Sequence, residues 1–292
     1  MQSWTQRQAE VAAIAQRQLF FVGGAPRSGT TWLQHILDAH PDICCRGEGH
    51  FLTFLATPLG AAMQRRREQL QGKNTRLFRN FGGYKLPDPE DVEFLVGSAI
   101  LTALAQQCDG HPYPIVGEKT PENVFYFPNL KRLFPGAKFV GIARDPRDTL
   151  VSAWHLIPQE RRLGDETLEL MPFIRQAVGA VSQFTNGMLS LQQRYPADVM
   201  IVTYETLLSD PATTVAALYR FLGAACSPAI VADSIARTSF AAMSGRPAGT
   251  EDNGAFMRKG VAGDWRRQLT PEMNQFILGQ VGPLFPQFGW EI

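Results

Sequence analysis

The chain reads as an α/β protein, a single domain with a central parallel sheet flanked by helices on both faces. Three observations predict this. Short apolar runs alternate with amphipathic stretches along the chain, the order that a parallel sheet requires. The first run, at residues 20–22, passes into a small-residue loop and then a helical pattern, the build of a phosphate cradle. The charged motifs directly follow apolar runs, which places them at the carboxyl ends of strands, where such sheets bind ligands.

Composition sets the outer bounds. At 292 residues and 45% hydrophobic, the chain can bury a core without disulfides or metal. Twenty-eight basic and 27 acidic residues leave a net charge of +1, so no global field favours nucleic acid, and anion recognition has to be local. Cys44, Cys45, Cys108 and Cys226 have neither zinc-ligand spacing nor the density of a secreted scaffold, which fits a reducing, cytoplasmic compartment. Residues 1–18 are polar and glutamine-rich, with no apolar run of signal-peptide length, and are expected to form an arm or short helix ahead of a domain at 19–292. The longest weakly polar run, 94–105, is too short to span a bilayer. It is expected as a core helix, with no integral membrane segment in the chain. A membrane-bound substrate stays compatible with this reading.

The elements follow in order. After the first strand, Trp32, Leu33, Ile36 and Leu37 have the spacing of a helix with one buried face. That helix ends before Pro41, which pushes His40 out of helical space. A short strand or loop over 42–48 follows. Residues 57–90 hold four prolines and glycines before residue 83 and three more from there on, with Arg65, Arg66 and Arg67 among them, and are expected as helix pieces and a mobile lid. Strands are expected at 115–116, 138–143 and 199–202. Helices follow the last two, one from about Thr149 and one over 210–222 that Asp210 caps with Pro211 at its first position.

Three constellations carry chemistry. In the first loop, Gly24 and Gly29 have the four-residue separation of a Walker A motif, but Thr30 stands where that motif needs lysine. An anion there would be held by backbone N–H groups, the hydroxyls of Ser28, Thr30 and Thr31, and the guanidinium of Arg27. Trp32 either packs in the core or offers a face to a purine. In the second, Arg144 closes an apolar strand and Ser152 lies two turns into the next helix, so both reach toward one phosphate. In the third, Arg258, Lys259, Gly260 and Gly263 suit a loop that folds over an anion.

Together these residues resemble the sulfotransferases that use 3'-phosphoadenosine 5'-phosphosulfate (PAPS), a family with a P-loop NTPase-like fold. Residues 26–32 resemble its 5'-phosphosulfate loop, with arginine where the cytosolic branch usually has lysine. Arg144 and Ser152 resemble its 3'-phosphate site, and residues 258–265 its closing C-terminal loop. Tyr204 matches a position near the nucleotide. Residues 26–31, 38–42 and Glu48 are similar to the protein-tyrosine branch, whose corresponding glutamate is the catalytic base and whose lysine, matching Lys119, assists at the transferring group. Pro121 stands where the cytosolic branch has its catalytic histidine, whereas Trp32 is similar to that branch.

The resemblance implies sulfuryl transfer from PAPS to an acceptor hydroxyl with Glu48 as general base, Arg27 and Lys119 stabilising charge, 3'-phosphoadenosine 5'-phosphate (PAP) as product, and no metal. An apolar wall around Glu48 is expected, because it would raise a carboxylate of ordinary pKa about 4.3 toward a useful base. His50 is the rival base. A small-molecule kinase on the same architecture and a non-catalytic nucleotide- or glycan-binding module are the alternatives; the kinase would need the cradle lysine that Thr30 replaces. The acceptor site is expected among residues 51–90 and 155–185. Natural-product, carbohydrate, lipid and peptide-tyrosine hydroxyls all remain open as acceptors.

Overall fold

The computed structural model describes residues 3–158, 161–162, 165–252 and 254–292. Five parallel strands make the sheet: β1 (Gln18–Gly23), β2 (Ile43–Gly47), β3 (Ile115–Lys119), β4 (Lys138–Ala143) and β5 (Val199–Thr203). Their spatial order is β2-β3-β1-β4-β5. Strand β1 is central, pairing with β3 on one side (Phe21 beside Glu118) and with β4 on the other (Phe21 beside Phe139). The chain therefore reverses its direction of sheet growth around β1. The loops after β1 and β4 open into one crevice at that switch point.

Burial on both faces explains the apolar runs. Phe20 and Val22 face one core with Leu33, Ile36, Val140 and Leu218, whereas Leu19 and Phe21 face the other with Ile100, Phe127, Phe139 and Met188. All of these side chains except Leu19 are 0–1% exposed, which is why a parallel strand reads as continuous rather than alternating.

Helix α1 (Trp4–Ala15) opens on a reciprocal Ser3–Gln6 capping box. Helix α2 (Thr30–Asp38) starts one residue earlier than its apolar pattern suggests. A short π-helical turn at Phe51–Ala56 leads into α3 (Thr57–Arg76). This 20-residue helix replaces the expected helix pieces and lid. Its proline sits in the first turn, where the missing N–H has no consequence, and Gly60 and Gly72 lie in a run rich in Gln, Arg, Leu and Met, which favour helix. Helix α4 (Pro89–Gln107) buries Val96, Ile100, Leu101 and Leu104 as a core helix should, with Phe94 on its exposed side.

Helix α5 (Asn123–Leu133) crosses back from β3 to β4. Helix α6 (Pro146–His155) begins three residues before the expected Thr149. Asp145 caps the N–H of Arg147 there and Pro146 takes the first turn, the same chemistry that Asp210 and Pro211 provide at Pro211–Leu222. The long helix Leu170–Arg194 covers the sheet beside α6 and α5.

Candidate active site

The first wall of the site is the turn between β1 and α2. Gly29 caps α2 with φ +101°, and a Cβ there would lie 2.7 Å from the ring of Tyr204, so the loop closes only with glycine at this position. Arg27 also adopts a left-handed backbone, φ 72°, which costs a side-chain-bearing residue about 1–3 kcal/mol. Arg144 offsets part of that by donating from Nη1 to the Arg27 carbonyl at 3.2 Å. The Arg27 guanidinium is thereby aimed across the loop, where Nε donates to Ser152 Oγ at 3.3 Å and Nη2 to the Phe256 carbonyl at 2.6 Å. Burial, then the positive charges of Arg144 and Arg258, push the Arg27 pKa down from its usual value. A site that presses three guanidinium groups together favours an anion among them.

Arg144 leaves the end of β4 and lies over the Tyr204 ring, 4.3 Å from its centroid, while Nη2 donates to the Val261 carbonyl at 2.9 Å. Its Nε, like that of Arg258, is buried with no hydrogen-bond partner. Asp148, 2% exposed on α6, accepts from the backbone N–H groups of Gly263 at 2.6 Å and Trp265 at 3.0 Å. One buried carboxylate thus ties the third wall, the 258–265 loop, to the helix that carries Ser152. Within that loop Arg258 pairs with Asp264 and with Glu251 (2.6 Å), and Lys259 pairs with Asp264 (2.6 Å). Burial alone would raise the Asp264 carboxyl, but hydrogen bonds from Lys259 and Arg258 hold it below its ordinary value. Gly260 turns with φ +68° directly over Phe240.

Three walls enclose a cavity of about 300 Å³ lined by Arg27, Gly29, Thr30, Thr31, Trp32, Arg144, Ser152, Tyr204, Arg258, Lys259 and Gly260. The structure therefore brings together almost every cofactor-site residue expected from the sequence. Ser28 is the exception. It is 1% exposed and its hydroxyl donates to the Ile142 carbonyl at 3.1 Å, tying the loop to β4 instead of facing the cavity. Trp32 packs against the core and also lines the cavity, with Nε1 donating to the Thr238 carbonyl at 2.9 Å and its ring edge-on to Tyr204.

Glu48 and Lys119 stand beside this cavity. Lys119 ends β3, is 3% exposed, donates to Glu48 Oε1 and lies 3.5 Å from Thr31 Oγ1. The apolar wall expected around Glu48 is absent: its side chain is 40% exposed, and Oε2 faces His50 Nε2 at 3.4 Å. The reason lies in the strand end. Residue 48 follows the exposed last residues of edge strand β2, whereas the buried carboxylate of this corner is Glu118, one strand inward. Glu118 accepts from Gly49 N–H at 2.7 Å, Asn123 Nδ2 at 3.0 Å and Thr120, and burial raises its pKa above the ordinary value.

The sulfotransferase family model matches residues 20–228, most of the chain. This chain belongs to the sulfotransferase family. Among curated relatives, a putative protein-tyrosine sulfotransferase of Caenorhabditis briggsae is 34% identical over 139 residues, covering 46% of this chain and 42% of that protein. Cytosolic sulfotransferase 17 of Arabidopsis thaliana is 29% identical over 177 residues, covering 53% and 51%. The chain spans about half the length of the curated relatives it matches. Solved sulfotransferases share its fold across nearly the full chain: mouse SULT7A1 complexed with PAP superposes with a TM-score of 0.56 at 19% identity, covering 97% of this chain and 90% of that one. STF9 of Mycobacterium avium gives 0.57 at 17%, covering 99% and 81%.

Several residues of this sulfotransferase's site were not singled out from the sequence. Ile36, Leu207, Ile235, Phe240 and Met243 form the apolar side of the cavity, and nothing in their local pattern separates them from core positions. Asp148 had a signal, since a carboxylate in the first turn of α6, four residues after Arg144, can reach back to that guanidinium, here at 3.7 Å.

Proposed function

We propose that this chain transfers a sulfuryl group from PAPS to an acceptor hydroxyl. The observation that carries the reading is the convergence of Arg27, Arg144 with Ser152, and Arg258 with Lys259, from three distant parts of the sequence, on one cavity with an aromatic and aliphatic side. The buried, unpartnered Nε atoms of Arg144 and Arg258 leave donors for a dianion, and Trp32 and Phe240 leave apolar faces for a base, so the residues present fit a 3'-phosphorylated adenosine nucleotide. The relatives' names, the family match and the PAP in the SULT7A1 structure support the same reading.

PAPS, when bound, supplies an activated sulfuryl group on its 5' side. The chain's own residues do the rest. Arg144, Ser152, Arg258 and Lys259 hold the 3'-phosphate. Thr30 and Thr31, at the positive end of α2, hold the 5'-phosphate. Arg27 and Lys119 neutralise charge that builds on the transferring and bridging oxygens, a role that fixed cationic donors fill without a metal. Glu48 takes the acceptor proton as the acceptor oxygen bonds to sulfur and the bridging oxygen leaves with PAP. Lys119, bonded to Glu48 and close to Thr31, links the base to the phosphate loop. The acceptor is assigned as a hydroxyl, the group a tyrosine carries in the name of the protein-tyrosine relative.

Replacing Glu48 by glutamine keeps the shape and removes the base. Turnover with PAPS and a panel of hydroxyl acceptors should fall by about 10²- to 10⁴-fold. PAP affinity should stay within about threefold, because Glu48 lies outside the nucleotide cavity. Near-normal turnover would pass the role to His50.

A further inference from the structure

We propose that α3 and the loop after it, residues 57–88, form a surface that docks on a membrane rich in anionic lipid. This segment contains seven of the chain's 28 basic residues and two of its 27 acidic ones, so a net charge of +5 sits on one projection of a chain whose total is +1. The remainder is net acidic. Such an asymmetry orients a molecule, drawing one face toward a negative surface and turning the rest away.

The projection meets the core only at its base, where partly buried Leu59 packs against it. Helix α3 buries none of its 20 residues. Arg67 is tied to the Pro87 carbonyl, Arg66 lies over the Tyr84 ring and Lys85 pairs with Asp88 at 3.5 Å. The side chains of Arg65, Lys73 and Arg79 have no partner among the described residues and are exposed. At the tip, Leu77 is 65% exposed, Phe81 76% and Tyr84 67%, with Phe78 at 43% beside them. Aromatic and aliphatic side chains ringed by Lys and Arg match a bilayer interface, where the rings enter the headgroup boundary and the cations meet lipid phosphates.

Other occupants fit less well. A second copy would set +5 against +5. An acidic polypeptide would neutralise the cations but gives no reason for four exposed apolar side chains at the tip. No helix among the described residues is long and apolar enough to cross a membrane, so the attachment is peripheral.

The test uses the full chain and sedimentation with vesicles of phosphatidylcholine alone or mixed with phosphatidylglycerol. The chain should bind the mixed vesicles, release at high salt and ignore the neutral ones. Losing a basic side chain should weaken binding about fivefold, so the triple variant Arg65→Gln, Lys73→Gln, Arg79→Gln should lose about a hundredfold. Phe81→Ser with Leu77→Ser should also weaken binding at unchanged charge. None of these side chains is buried, so the variants should keep the wild-type circular dichroism and melting temperature. No binding to mixed vesicles, or binding that survives the triple variant, overturns the proposal. So does capture by polyglutamate without vesicle binding, or a Phe81-dependent dimer in sedimentation velocity.

Discussion

In the cavity of the candidate site, Arg27, Arg144 and Arg258 are held by the carbonyls of Phe256 and Val261, the ring of Tyr204 and the carboxylates of Asp148 and Asp264. On α3 and the loop after it, Arg65, Lys73 and Arg79 project to solvent, the first two from a helix with no buried residue. The same residue types thus occur in two physical states. A guanidinium fixed before its ligand arrives loses little freedom on binding, and its field acts in a dry cavity. An exposed one acts through summed charge and is screened by salt. The difference teaches where a basic residue supports one oriented anion and where it supports only attraction to a surface.

Asp148→Ala strikes that comparison hardest. It strips the buried partner from Arg144 and leaves the N–H groups of Gly263 and Trp265 unpaired. Removing one member of such a buried arrangement costs about 3–5 kcal/mol, roughly 5–8 °C in Tm for a domain of this size. Scanning calorimetry checks it, and an unchanged Tm would show that the cavity cations are no more fixed than those of α3.

Acid should distinguish the regions next. Asp264 has a depressed carboxyl pKa, so its ion pairs contribute stability in full above the unfolded value of about 3.9 and lose it as pH falls through the lower folded value. Asp264→Asn should therefore flatten the acid limb of the Tm-versus-pH curve and leave the shape between pH 5 and 8 unaltered, about where the wild-type carboxylate is fully ionised. A changed slope near neutrality would contradict the assigned direction.

The smallest effect belongs to α3 and the loop after it. Arg65→Gln and Arg79→Gln should each change stability by less than about 0.5 kcal/mol, because neither side chain has a partner to lose. A larger loss in denaturant titration would place those side chains in contacts resembling those of the cavity.

Much of the site was legible because its residues combine a chemical type with a place in an element. Arg144 follows an apolar strand, and Arg27 sits between two glycines at a helix start. Ser28 was not legible. A hydroxyl in a phosphate-type loop reads as a ligand donor, and only the approach of β4 shows that its proton goes to Ile142. The ion pair of Glu48 with Lys119 was not read from the sequence, and an apolar wall around Glu48 is something an edge strand does not provide. Helix α3 escaped because proline and glycine mark breaks only inside a helix under constraint, and Pro58 lies in the first turn. The apolar side of the cavity was invisible for a plainer reason: Ile36 and Leu207 satisfy core periodicity whether they face a protein interior or a purine.

Calorimetric titration of the chain with PAP tests the central claim, that the three basic segments serve one nucleotide. Wild-type protein should give saturable heat at one site, with Arg144→Gln and Arg27→Gln each weakening binding by about ten- to a hundredfold, the worth of a charge-assisted hydrogen bond. Absence of heat from the wild type, or wild-type affinity in both variants, would contradict it.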